Sequence, residues 1–63
     1  MDRAKAIKRI YAIMYQLYNK DYAYKLIHSF LILQFCKESV KDLTDKELIE
    51  TNEWVNKIEQ LSN

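Results

Sequence analysis

Sixty-three residues allow one domain, spanning 1–63, and no more. Hydrophobic residues make up 49% of the chain and charged residues 30%, which excludes a disordered polymer, and a net charge of only +1 argues against a dedicated nucleic-acid binder. Glycine and proline are both absent and cysteine occurs once, which excludes tight hairpins, glycine-rich phosphate loops and disulfide frameworks.

From Asp2 to Lys20 the apolar residues recur with a helical period. Ala4, Ile7, Tyr11, Met14 and Tyr18 form one stripe, and Ile10, Ile13 and Leu17 widen it. The apolar arc covers roughly 200° of the helical wheel, too much for one neighbour, so this helix is expected to touch two others. Lys5, Lys8, Arg9, Gln16, Asn19 and Lys20 fill the polar side, and Arg3 alone breaks the division. No glycine or proline enforces a stop after it. The change in apolar pattern at 19–21 nevertheless predicts a short turn, with Asp21 as the N-cap of the next helix.

The second segment, from Tyr22 to about Ser39, is apolar nearly all round, the pattern of a buried helix. Its run from Ser29 to Cys36 has the length of a buried strand, but no second strand exists for it to pair with, so a helix is expected. The same run is too short to span a bilayer. Cys36 inside it reads as a plain buried thiol in a reducing compartment, and the chain as cytoplasmic. Cys36 and His28, with no further soft ligands, do not make a metal site.

The third segment has the clearest local signal. Thr44 and Glu47 have the spacing of a capping box, and Leu43 and Leu48 occupy the two positions of a hydrophobic staple. Beyond them Leu48, Thr51, Val55 and Ile58 form a stripe that Trp54 and Leu61 widen. Glu53 and Lys57 are placed for an ion pair across one helical turn.

Charge is unevenly spread. Residues 1–20 hold Arg3, Lys5, Lys8, Arg9 and Lys20 against Asp2, a net +4. Residues 45–63 hold Lys46 and Lys57 against Asp45, Glu47, Glu50, Glu53 and Glu59, a net −3. The basic face of the first helix (Lys5, Lys8, Arg9, Lys20) is therefore a candidate nucleic-acid surface, with the competing expectation that it complements the acidic third helix. A helix-turn-helix fits poorly, because the one well-capped helix is acidic.

Five tyrosines fall between positions 11 and 24. Tyrosine suits surfaces with one apolar and one wet side. Tyr11, Tyr15, Tyr18, Tyr22 and Trp54 are the candidate protein interface, weighed against ordinary packing at the edge of a small core. His28 has no second base and no nucleophile at a usable helical spacing, so no enzyme activity, cofactor or small-molecule ligand is expected.

The fold class expected is all-α: a small three-helix bundle with helices near 3–20, 22–38 and 45–61, antiparallel neighbours, and the middle helix the most buried. Folding alone leaves little margin for a chain this short, so a homodimer is expected. The function expected is a protein-interaction module: a regulator, inhibitor or adaptor. The alternative is nucleic-acid binding through the first helix.

Overall fold

The computed structural model describes residues 2–62. They form an all-α bundle of three helices, α1 (Arg3–Leu17), α2 (Lys20–Phe35) and α3 (Asp45–Ser62), with one 3₁₀ turn (Val40–Asp42) in the link before α3. No strand occurs among the described residues.

Each helix is bounded by side-chain chemistry, which replaces the missing glycine and proline. Asp2 caps α1, its Oδ1 accepting from the Lys5 amide at 3.2 Å. α1 stops at Leu17, three residues before the expected end, because Tyr18 and Asn19 are both extended (ψ 163° and 160°). The cap of α2 is Asn19, not Asp21: its Oδ1 accepts from the Tyr22 amide at 2.9 Å. Asp21 lies instead in the first turn of α2, where a carboxylate favours the helix dipole.

α2 also ends early, at Phe35 and not at 38. Cys36 takes the left-handed conformation (φ 56°, ψ 37°), and the amides of Cys36 and Lys37 turn back to the carbonyls of Ile32 and Leu31. The start of α3 has the expected capping box. The Glu47 amide donates to Thr44 Oγ1 at 3.2 Å, and the Thr44 amide donates to Glu47 Oε1 at 2.9 Å. Both staple leucines, Leu43 and Leu48, are buried in the core.

The helices are oriented by a few named contacts. Arg3 meets Asp45 and Arg9 meets Asn52 and Asn56, so α1 and α3 advance in the same direction. Lys37 meets Glu47 while Phe30 meets Trp54, so α2 runs opposite to α3. The enclosed core is Ile10 and Met14 from α1, Ile27 and Leu31 from α2, and Leu48 and Val55 from α3, all essentially without solvent contact. Thr51 sits among them, its hydroxyl donating to the Glu47 carbonyl at 2.9 Å, so a polar atom enters the core satisfied.

Several expected core positions lie elsewhere. On α1 the buried residues are Ile10, Ile13 and Met14, while Ala4 is exposed and Tyr11 and Tyr18 are half-buried. The centre of the stripe is thus rotated from the Ala4–Tyr18 line toward Ile10 and Ile13, because α1 faces α3 as well as α2. Leu61 is 88% exposed at the end of α3, past the reach of the bundle. Glu53 and Lys57 do not pair.

The largest correction concerns α2. It is not the most buried helix: it carries Tyr22, Tyr24, Ile32 and Leu33, four of the seven large apolar side chains exposed among the described residues. A helix in a three-helix bundle has neighbours on one side only. Among the described residues no fourth helix covers the other side. Cys36 is likewise exposed and not a buried thiol.

Candidate protein-interaction surface

α2 divides by helical position. Ala23, Ile27 and Leu31 are its buried side. Tyr22, Leu26, Ser29, Leu33 and Cys36, spaced four, three, four and three apart, fall on a second stripe turned away from the first. Leu26 in this stripe is half-buried, and the other four are exposed. Leu33 is the most open, at 80% exposure, with Tyr22 at 50%. Ile32, 43% exposed, and Lys25 border the stripe. The spacing is that of a coiled-coil seam, and it faces solvent.

The tyrosines line the rim between α1 and α2. Tyr11 and Tyr15 are tilted against each other at 5.7 Å between ring centres, and Tyr18 and Tyr22 meet edge-to-face at 5.3 Å. Tyr24 meets His28 edge-to-face at 6.1 Å. Tyr11, Tyr24, Ile27, His28, Leu31, Glu38 and Ser39 surround a shallow pocket. Burial, followed by the neighbouring Tyr15 and Tyr24, raises the Tyr11 phenol above its ordinary pKa. Tyr11 and Tyr18 are half-buried, while Tyr15 and Tyr22 are exposed.

Trp54 does not join this group. Its indole lies flat on Phe30, 4.1 Å between ring centres and 9° between planes, in the seam between α2 and α3. Phe30 in turn meets Phe35 edge-to-face at 5.8 Å. Trp54 is therefore a half-buried anchor between two helices, separate from the tyrosine rim.

The basic residues are also divided. The Arg9 guanidinium crosses to α3 and donates to Asn52 Oδ1 at 3.1 Å and to Asn56 Oδ1. Asn52 uses its other amide atom on its own helix, Nδ2 donating to the Leu48 carbonyl at 3.1 Å. Lys20 Nζ lies 5.8 Å above the Tyr15 ring, a cation–π distance. Lys5 and Lys8 are left exposed. Arg3, the residue that broke the pattern of α1, donates to Asp45 at 2.6 Å and to the Leu43 carbonyl at 2.7 Å. It sits on the packed side of α1 because that side faces the start of α3.

Two features escaped sequence reasoning. Leu33 and Ile32 lie within a run that reads as core, yet both are exposed. The junction between Lys37 and Glu47 (2.6 Å) links the end of α2 to the capping box of α3. Its signal was weak, since Lys37 falls at the fraying end of the expected second helix with no partner marked for it. That lysine, then the Thr44 hydrogen bonds, hold the Glu47 carboxyl below its ordinary pKa of 4.5.

Among the described residues, no three His, Cys, Asp or Glu side chains gather at metal-binding distances, and no helix is long and apolar enough to cross a membrane. Comparison with protein-family models, with curated proteins and with solved structures finds no significant match to this chain.

Proposed function

We propose that this chain is a protein-interaction module, a regulator, inhibitor or adaptor of the cytoplasm, which works by binding another protein molecule through the outward face of α2. The observation that carries the proposal is Leu33, 80% exposed in a stripe of helical spacing that also holds Tyr22 and Leu26. Contiguous apolar surface costs solubility and marks interaction sites, whereas single exposed leucines need no explanation. Tyr22 and Tyr15 extend the surface with rings that are apolar on their faces and polar at their tips.

Nucleic-acid binding has weaker support. Of its four candidate residues, Arg9 is engaged with α3 and Lys20 with Tyr15, which leaves Lys5 and Lys8 for phosphates. Affinity capture from the native host separates the two ideas. One protein partner is expected, with capture lost in Leu33→Asp and weakened in Tyr22→Ala while both variants keep the melting temperature of the parent. Salt-steep binding to a mixed oligonucleotide, lost in the Lys5→Ala/Lys8→Ala variant, would replace the proposal with the nucleic-acid alternative.

A further inference from the structure

We propose that the pocket between α1, α2 and the link before α3 binds a small organic cation, a methylated ammonium group. This site is separate from the outward face of α2 and does not depend on that face binding a protein. No motif announces it in the sequence, because its walls come from three segments. Tyr11 stands on α1, Tyr24 and His28 on α2, and Glu38 and Ser39 in the link.

Charge decides the sign of the ligand. With His28 neutral, Glu38 carries the one formal charge among the residues that line the pocket, and it is negative. Two lysines that could cancel it are engaged elsewhere. Lys37, its neighbour in sequence, places Nζ 2.6 Å from the Glu47 carboxylate, and Lys20 Nζ lies over the Tyr15 ring. Glu38 itself makes no ion pair among the described residues. The link that carries it is held in place, since Val40 is buried and Ser39 Oγ accepts from the Lys41 amide at 3.3 Å.

Surface and size select the kind of cation. Tyr11 and Tyr24 bring two phenol rings to the pocket, and tyrosine rings attract cations within ~6 Å of their centres. The neighbouring ring of the rim, Tyr15, already holds the Lys20 ammonium at 5.8 Å. The floor is apolar, with Ile27 and Leu31 at 2% and 1% exposure. A bare ammonium is strongly hydrated and loses that water against such a floor, whereas methyl groups bring apolar surface to it. The volume of about 60 Å³ holds roughly four or five water-sized groups at ~10–15 Å³ each, the size of a trimethylammonium head.

An NMR titration at pH 7.5 with choline, and separately with a short peptide containing trimethyllysine, tests the site. Binding is expected with a Kd on the order of 1 mM, with shifts at Tyr24, His28 and Ser39. Glu38→Gln and Tyr24→Ala, both at exposed positions, should each weaken it by about threefold or more while keeping the melting temperature of the parent. The neutral isostere 3,3-dimethylbutan-1-ol should bind more weakly than choline. Binding in either arm supports the inference, and the tighter arm tells a free ammonium compound from a protein side chain as the source. No shifts up to ~50 mM of either ligand, equal binding of the neutral isostere, or indifference to both substitutions overturns it. None of these results touches the interaction proposal, which is read from capture by Leu33→Asp.

Discussion

Cys36 closes α2 in a conformation usually given to glycine. A side chain with a Cβ in the left-handed region is disfavoured by roughly 1 kcal/mol. Cys36→Gly is accordingly expected to stabilise the fold by about 0.5–1 kcal/mol in urea unfolding, even though glycine raises the entropy of the unfolded chain. A loss of stability would mean that the cap is held by something other than the left-handed turn. At the other end of the link, Thr44→Ala should cost about 1 kcal/mol through the lost hydrogen bond to the Glu47 amide. Glu47 adds a pH dependence. Its carboxyl is held below 4.5 by Lys37 and Thr44, so it favours the folded state above that pH. The contribution fades as the pH falls from 4.5 through the lowered value. Thermal melts of the parent should therefore lose stability more steeply in that window than melts of Glu47→Gln, and parallel curves would contradict the assignment.

Among the elements, α1 and α2 depart most from what their sequences suggest. The capping box, the staple and the three helices were legible, because each is written in residues close along the chain. The break at Tyr18–Asn19 was placed near its true position but assigned the wrong cap, since Asn19 and Asp21 are both good capping residues and the sequence offers no way to rank them. The face of α2 was misread because a helix that is apolar all round looks buried until the number of its neighbours is known. Leu31 and Leu33 make the contrast measurable. Leu31→Ala removes a side chain that is 1% exposed and should cost ~2–5 kcal/mol. Leu33→Ala, measured in dilute solution, should change stability by less than about 0.5 kcal/mol. Equal losses would place Leu33 in the core. On α1 the same reasoning separates arginine from lysine. Arg9→Ala should cost about 1 kcal/mol in urea through its bonds to Asn52 and Asn56, while Lys5→Ala and Lys8→Ala should lie within about 0.5 kcal/mol of the parent. The one ion pair between α1 and α3, Arg3 with Asp45, is largely exposed and contributes little. The charge contrast between the two helices is thus not what joins them: neutral asparagines receive Arg9.

For the whole molecule, the separation of α1 from α2 decides how the chain folds. Two helices meeting at Tyr18–Asn19 double back, and the chain reaches a radius of gyration of 10.8 Å within extents of 28 × 22 × 17 Å, close to the ~10.6 Å of a compact domain this long. Its accessible surface of 4489 Å² is likewise near the ~4,300 Å² of a monomer of its mass. One chain therefore encloses a core of its own. Most of the large apolar surface left exposed lies on one helix, α2. An NMR titration of isotopically labelled protein with the captured partner tests the α2 surface most directly. Amide shifts are predicted to move at Tyr22, Leu26, Ser29, Ile32 and Leu33, and to stay fixed at Lys5 and Lys8. Shifts confined to Lys5 and Lys8, with the outward residues of α2 unmoved, would contradict it.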